Sequence, residues 1–228
     1  MTENIIILGR GISLKRIPEL KNIENIEYVI LLNTFWDSPQ SETPYYKNEI
    51  IHNLLSKKKI ILIFNHLCNI DKLDIFCEKY NIISIYITLF PKKTRIGIIT
   101  LKKIILKYGN IYPYNSIQLL PEELIPKFLN NEKNFTNVGT MGLVIEFINI
   151  SLKYKNIYIF GLDFYEKNYL FKQNHDYNIE CNKSELIKND FLFFFKNLKH
   201  LNFHIYSLAN IKEFIENNNF SIPNLTIL

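Results

Sequence analysis

The chain has 228 residues, 47% of them hydrophobic, and a formal net charge of +5. This length supports one sizeable core, so we expect one main domain with an insertion rather than two equal domains. Arginine occurs only at Arg10, Arg16 and Arg95, without the clustered Arg and interleaved aromatics of a nucleic-acid binder, and the mild positive charge better suits an anionic small substrate.

Short apolar runs, rich in Ile and Tyr, recur along the chain and predict strands buried on both faces of a sheet. They lie at 4–8, 27–32, 60–64, 82–87, 157–160 and 202–208. Apolar residues at three- and four-residue spacing predict helices at 48–56, 71–80, 100–108, 142–154 and 186–198. This alternation predicts a single α/β domain of Rossmann-like type, with a mostly parallel sheet and helices on both faces. The tail is either a short edge strand or an irregular end.

The segment from Tyr165 to Ser184 is polar and aromatic and shows no clear period. We interpret it as a small flap inserted after a strand end, where ligands bind in sheets of this kind. The predicted organisation is a Rossmann-like core at 1–164, a flap at 165–184, and a helix, strand and helix at 185–228 that complete the core. Lysine runs such as Lys57, Lys58 and Lys59 beside the strands are interpreted as solvated edges.

A glycine loop follows the first predicted strand, as Gly9-Arg10-Gly11-Ile12-Ser13. Two glycines allow backbone amides to approach an anion, and Ser13 is the expected helix N-cap, so the loop is a candidate phosphate site. The third glycine of the dinucleotide pattern is missing, which leaves the signal partial.

Three further stretches are candidate binding elements. Asn33 and Asn65 end two strands; each is singly a common turn residue, but together they are candidate hydrogen-bonding partners for a sugar or ribose. Gly139, Thr140 and Gly142 are expected to open an apolar helix and to present free amides, unless helix packing requires the glycines. Asp163 follows Gly161 at the end of another strand.

Candidate catalytic groups lie in and near the predicted flap. The hydroxyls of Tyr165 and Tyr169 can donate hydrogen bonds to a departing phosphate without carrying charge. His175 is the candidate general base, with His66 as its rival. The remaining histidines, His52, His200 and His204, fall on helix or strand positions and are interpreted as structural.

Several other features narrow the class of protein. The three cysteines, Cys68, Cys77 and Cys181, fit no zinc spacing and are expected to be reduced packing residues in a cytoplasmic protein. The start carries no basic leader, and no apolar run approaches a membrane span. There is no Walker loop, Asp-x-Asp pair or nucleophile elbow, so any phosphate chemistry is expected to be independent of metal.

These motifs, in this order, resemble those of the bacterial sialyltransferases of glycosyltransferase family 42. That family has a G-N-G-P-S-L-K loop after its first strand, asparagines ending two later strands, a T-S-G motif and a G-I-D-F-Y strand end. The corresponding pieces here are 9–15, Asn33, Asn65, Thr140-Met141-Gly142 and Gly161-Leu162-Asp163-Phe164-Tyr165. The resemblance covers most of the chain, and the first and last motifs are the specific ones. Arg10 replaces an asparagine, and Met141 replaces a serine.

The resemblance implies a donor and a mechanism. The donor would be a cytidine monophosphate (CMP) sugar such as CMP-sialic acid, and no cofactor or metal would be needed. Transfer to a glycan hydroxyl would proceed with inversion, Tyr165 and Tyr169 would bind the leaving phosphate, and His175 would deprotonate the acceptor. Tyr169 follows Tyr165 sooner than in the family pattern, and His175 is matched by region.

The resemblance also implies partners and a place in the cell. The acceptor would be a galactoside or similar glycan, with galactoside-terminated lipooligosaccharide as a candidate. Peripheral association with the inner membrane and a homo-oligomer are compatible with it, although the basic tail common in the family is lacking. Two alternatives stay open: a non-catalytic nucleotide-sugar-binding module, and a relative of flagellin-modification proteins and pterin pyrophosphokinases, whose chemistry would require magnesium.

Overall fold

The computed structural model describes residues 3–33, 35, 47–65, 73–88, 102–106, 117–119, 132–152, 154–164, 166, 170 and 184–228. Within these residues the fold is one sheet of eight strands in the order β5-β4-β3-β2-β1-β6-β7-β8. Every neighbouring pair is parallel. The strands are β1 (Asn4–Leu8), β2 (Tyr28–Leu32), β3 (Lys59–Asn65), β4 (Ile82–Thr88), β5 (Ile117–Leu119), β6 (Asn156–Phe160), β7 (Asn202–Tyr206) and β8 (Leu225–Ile227).

Helices connect the strands. A 3-10 helix (Ile12–Glu19) follows β1, and a shorter one (Ile23–Asn25) precedes β2. The α-helices are α1 (Glu49–Leu55), α2 (Leu73–Lys79), α3 (Glu132–Phe147), α4 (Ser184–Asn197) and α5 (Ile211–Asn217), and residues 102–106 are also helical. A π-helical turn (Ile148–Leu152) extends α3. The Asn48 side chain caps α1, since its Oδ1 accepts from the amides of Ile50 and Ile51 at 3.1 and 3.3 Å.

Both faces of the sheet are covered, and alternate residues of β1 show how. Ile5 and Ile7 belong to a core cluster that includes side chains of α3 and α4. Ile6 and Leu8 belong to a second cluster, with side chains of the first 3-10 helix, α1 and α2. All four are fully buried. The predicted Rossmann-like α/β domain with strands buried on both faces is therefore confirmed.

All six predicted strands are confirmed, with boundaries that shift by at most two residues. The strand β5 was not predicted, because three residues are too few to show a pattern. The tail forms the edge strand β8, one of the two outcomes left open. The proposed limits of the flap stay a prediction, because most of 165–184 lies outside the described residues; Ser184 itself is the first residue of α4.

The interpretation of the 57–59 lysine run as a solvated edge is wrong for Lys58. Its side chain is buried, and Nζ donates to the carbonyl oxygens of Ile23 and Glu24 at 2.7 and 3.1 Å. Burial lowers the pKa of this amine. The short 3-10 helix leaves carbonyl groups that need donors, and Lys58 supplies them.

Three histidines make contacts that fit the structural roles predicted for them. His52 Nδ1 lies 2.9 Å from the hydroxyl of Tyr80. His204 stacks on the Tyr158 ring, and burial lowers its pKa. His200 lies beside Asn149. Of the cysteines, Cys77 packs half-buried against the second core cluster, whereas Cys68 and Cys181 lie outside the described residues.

Candidate active site at the carboxyl edge of the sheet

The strand order reverses next to β1. Successive strands from β1 to β5 extend to one side of it, and β6 then returns to pair with its other side. In sheets of this kind ligands bind outside the carboxyl ends of the strands, near such a point. The loops after β1 and β6 carry Gly9, Gly11 and Gly161, so the predicted glycine loop and the Gly161–Phe164 motif lie at the topological switch point.

The three glycines of these loops are required by contact between the loops themselves. The Gly9 amide donates to Phe160 O at 2.7 Å, and the Gly11 amide donates to Gly161 O at 3.0 Å. A Cβ on Gly9 would lie 2.6 Å from Gly161 O, and one on Gly11 would lie 2.8 Å from the same oxygen. Gly161 also has φ of +74°, which favours glycine. The amides of Gly9 and Gly11 are thus used within the protein, and the anion-binding role predicted for the loop stays a prediction.

Asp163 joins three loops at the switch point. Its side chain is buried; Oδ2 accepts from the Ser13 amide at 2.8 Å, and Oδ1 accepts from the Leu208 amide at 3.0 Å. The hydroxyl of Ser207 lies 3.3 Å from Oδ1 and contacts Leu162 O at 3.0 Å. One carboxylate thus ties the loops after β1, β6 and β7 together. The direct role in substrate binding predicted for Asp163 stays a prediction, beside this structural one.

The prediction that Ser13 is a helix N-cap is wrong. The 3-10 helix begins at Ile12, its N-cap is Gly11, and no side chain caps it. The Ser13 side chain is fully buried, and its Oγ accepts from the Gly161 amide at 3.0 Å. The side chain and the amide of Ser13 both face the β6 loop and satisfy its buried polar groups, the Gly161 amide and the Asp163 carboxylate.

Asn33 directly follows β2, the strand beside β1, and its environment differs from that of Asp163. Its backbone is left-handed, with φ of +60°, and its amide donates to Ile63 O at 2.9 Å. Its side-chain Oδ1 is buried and has no hydrogen-bond partner among the described residues. A buried acceptor of this kind normally has a hydrogen-bond partner. Asn33 Oδ1 can therefore accept a hydrogen bond from a ligand at this edge of the sheet.

Asn65 is the last residue of β3 and lies at the same edge. The register pairs Leu32 with Ile63, so the two asparagines lie at the ends of neighbouring strands. This confirms that they share the carboxyl edge of the sheet. The side chain of Asn65 lies outside the described residues, and its role in binding stays a prediction.

The prediction that Thr140 and Gly142 open a helix is wrong, as is the predicted start of that helix. The helix α3 begins at Glu132, so both residues lie in its interior, where their amides are used by the helix. Five of the six residues at 132–137 are polar, so this part of the helix shows no apolar period. Met141 is nonetheless close to the glycine loop, since a Cβ on Gly9 would lie 3.5 Å from Met141 Cε. The Thr140-Met141-Gly142 motif therefore approaches the glycine loop through the Met141 side chain, and it does not form a helix N-terminus.

The chain after β6 is held at described points on either side of the candidate tyrosines. Phe164 is buried with φ of +49°, and the Glu166 amide donates to Asp163 O at 2.9 Å. Further along, the Leu170 amide donates to Arg10 O at 3.0 Å, which joins the segment to the glycine loop. Tyr165, Tyr169, His175 and His66 lie outside the described residues, and their catalytic roles stay predictions.

Two groups of residues at this edge were not predicted from the sequence. Ser207 and Leu208, after β7, contact Asp163 as described above. Lys188 on α4 forms an ion pair with Glu166. A serine directly after the last residue of β7 could have indicated Ser207. No sequence pattern indicates the ion pair between Lys188 and Glu166.

Among the described residues, no three His, Cys, Asp or Glu side chains come together as a metal site would require. Over the same part of the chain, none of the helices combines the length and the apolar character needed to cross a bilayer.

Comparison with known proteins gives the fold. No protein-family model and no curated protein sequence matches the chain. Solved structures do match. The Campylobacter jejuni sialyltransferase CST-II, in complex with a trisaccharide acceptor and CMP, aligns with a TM-score of 0.53 and 18% identity, over 97% of this chain and 86% of that one. CstII with CMP-3FNeuAc aligns with a TM-score of 0.52 and 17% identity, over 98% and 87%.

The monofunctional alpha-2,3-sialyltransferase Cst-I from the same organism aligns with a TM-score of 0.53 and 21% identity, over 98% of this chain and 81% of that one. The chain therefore shares the fold of these sialyltransferases along almost its whole length, as the resemblance of its motifs implied.

Proposed function

We propose that this chain is a glycosyltransferase that transfers a sialic acid, or a related nonulosonic acid, from a CMP-sugar to a glycan hydroxyl. The observation that carries the proposal is the meeting of its two most specific motifs. The loop at 9–15 and the β6 end at Gly161–Phe164 contact each other at the switch point of the sheet, through the hydrogen bonds of Gly11 and Ser13. Solved structures of the same fold are sialyltransferases, in complexes that include CMP.

We place the CMP-sugar donor at this switch point of the sheet. The unpartnered Oδ1 of Asn33 would accept a hydrogen bond from the nucleoside, with Asn65 beside it. Thr140, Met141 and Gly142 would line the site from α3. Arg10, in the glycine loop, would contact the phosphate or alter which nucleotide sugar is held. The contacts between the loops after β1 and β6 would fix the shape of the site, through Gly9, Gly11, Ser13 and Asp163.

The chemical step requires charge to be stabilised on the leaving phosphate. The bond between the anomeric carbon and the phosphate oxygen breaks, CMP leaves with the electron pair, and the acceptor oxygen bonds to the anomeric carbon from the opposite face. His175 would take the acceptor proton, with His66 as the alternative base. Tyr165 and Tyr169 would donate hydrogen bonds to the phosphate as its charge grows, without a metal ion. Donors placed for the transition state act in this way because they bind it more tightly than the ground state.

Nucleotide binding is the first test. CMP at 100 times its dissociation constant should stabilise the protein by about 2.7 kcal/mol. For a chain of this length that amounts to roughly 5–10 °C in melting temperature. Uridine and guanosine diphosphates at the same concentration should give no shift. An equal response to all three nucleotides, or none to CMP, would contradict the donor assignment.

Activity is the second test, with CMP-sialic acid, a fluorescent lactoside and excess chelator. Tyr165→Phe should lower turnover by tens- to hundreds-fold, since it removes one donor to the leaving group. The matched control is Tyr154→Phe, because Tyr154 precedes β6 at the amino edge of the sheet and packs on Tyr28; it should leave turnover unchanged. Binding of CMP without any hydrolysis or transfer would favour a non-catalytic module, and dependence on magnesium would favour the pyrophosphokinase relative.

A further inference from the structure

Both oxygens of the Glu166 carboxylate have partners, one of which is Lys188. Lys188 Nζ contacts Oε1, and the side chains are 5% and 22% exposed. Oε2 accepts from the Asn210 amide at 2.8 Å. The carboxylate is thus held from two sides, by α4 and by the loop that leads into α5.

The environment of Lys188 shows that the pair is costly to keep. Its side chain is almost fully buried in α4, and desolvation lowers the pKa of its amine. Nζ lies 4.9 Å from the centre of the Phe214 ring, which partly replaces water around the charge. Buried ion pairs often add little net stability, because desolvation offsets the attraction between the charges. A role in fixing geometry explains the pair better than a role in stability.

The position of Glu166 shows what the pair can fix. Three residues before it, Asp163 is tied to Ser13 and Leu208. The Glu166 amide itself bonds to Asp163 O, and Phe164, between them, has the uncommon φ of +49°. The backbone is therefore clamped on both sides of residue 165, at Asp163 by one set of contacts and at Glu166 by another.

We infer that Glu166 and Lys188 are positioning residues: their ion pair fixes the backbone at Glu166, and through it the neighbouring residue, Tyr165, which the proposed function assigns to the leaving phosphate. This inference rests on the proposed function for its catalytic part. The clamp touches neither substrate nor reacting atoms, and it acts through the residue that directly precedes Glu166.

The kinetic test compares Lys188→Met with Lys196→Met, which makes the same change at an exposed position of the same helix. Misplacement of a catalytic group by about 1 Å can lower a rate by about 100-fold. Lys188→Met should therefore lower kcat by about 10- to 100-fold while KM for the donor changes by less than about threefold. Lys196→Met should change neither. An unchanged kcat in Lys188→Met, with active wild-type enzyme, would overturn the inference.

A double-mutant cycle separates positioning from general destabilisation. In a Tyr165→Phe background, Lys188→Met should have almost no further effect on kcat, because the hydroxyl that it positions is already absent. A purely structural role would lower kcat by the same factor in both backgrounds. Additive effects would therefore contradict the inference.

A measurement without catalysis distinguishes this inference from the proposed function. Hydrogen–deuterium exchange of the peptide covering 161–170 should speed up in Lys188→Met and not in Lys196→Met, while exchange of β1 stays unchanged. If the wild-type protein proves inactive with every CMP-sugar but exchange rises as expected, the proposed function is wrong and the clamp stands. If exchange at 161–170 is unaffected, the clamp itself is wrong.

Discussion

Replacing Asp163 by asparagine tests whether one carboxylate joins the three loops of the candidate site. The carboxylate accepts from the Ser13 amide through one oxygen and from the Leu208 amide through the other. Asparagine keeps one oxygen, so one of these two N–H groups would face the side-chain NH2 group. Size and shape are conserved, and the change affects hydrogen bonding and charge alone.

The magnitude follows from the lost acceptor. A hydrogen bond to a charged group contributes about 1.5–3 kcal/mol, and a buried donor left without a partner costs about 1–3 kcal/mol. The two figures overlap in part, so we expect Asp163→Asn to destabilise the protein by about 3 kcal/mol. At about 2–4 °C per kcal/mol for a chain of this length, the melting temperature should fall by about 6–12 °C.

The assay is thermal unfolding followed by circular dichroism, with urea unfolding as a second measurement. Glu216→Gln is the control, because it makes the same change of charge at an exposed position of α5, where surface substitutions usually change stability by less than about 0.5 kcal/mol. A fall of less than about 2 °C in Asp163→Asn would refute the reasoning, since it would mean that the buried carboxylate is replaceable without loss.

Two further predictions concern the glycine contact and the base. Gly161→Ala should lower the melting temperature by more than the roughly 2–8 °C expected from a positive φ alone, because its Cβ would also lie 2.6 Å from Gly9 C; a normal melting temperature would contradict the contact. His175→Ala should abolish transfer while CMP still raises the melting temperature, and transfer that survives would make His66 the candidate base.

The fold was predictable from the sequence because the strands are buried on both faces. A strand such as Ile5–Leu8 sends alternate side chains into different core clusters, so every position is apolar and the run stands out. The start of α3 was not predictable in this way. Its first turns contain Glu132, Lys133 and Asn134, which carry no apolar period, and the glycines at 139 and 142 imitated a helix start.

The site was predictable in its location and less so in the use of its residues. Sequence motifs indicated the loops after β1, β2 and β6, and the parallel sheet brings their ends to one edge. The partner of each polar group was not predictable, because the contacts that decide it are made across about 150 positions of the sequence, as between Ser13 and Asp163. Long-range pairs of this kind leave no local pattern.

Asn33 offers the most direct separation of binding from folding. A glycine loop after a first strand has two explanations, approach to a phosphate and contact with a neighbouring loop, and here the contact alone requires glycine at Gly9 and Gly161. The glycines by themselves therefore do not distinguish nucleotide binding from contact between the loops. Asn33 differs, because its Oδ1 makes no hydrogen bond with any described residue.

Asn33→Gly removes that oxygen and tolerates the φ of +60° without strain. The melting temperature without ligand should stay within about 3 °C of the wild-type value, since Oδ1 makes no hydrogen bond with a described residue and the backbone entropy changes only slightly. The shift induced by CMP should shrink markedly, because the affinity sets its size and a hydrogen bond to the nucleoside is gone. A large loss of stability without ligand would show that Asn33 is a structural residue like Asp163. An undiminished CMP shift would show that the nucleoside does not bind to Asn33, since the variant lacks the Oδ1 that is proposed to accept its hydrogen bond.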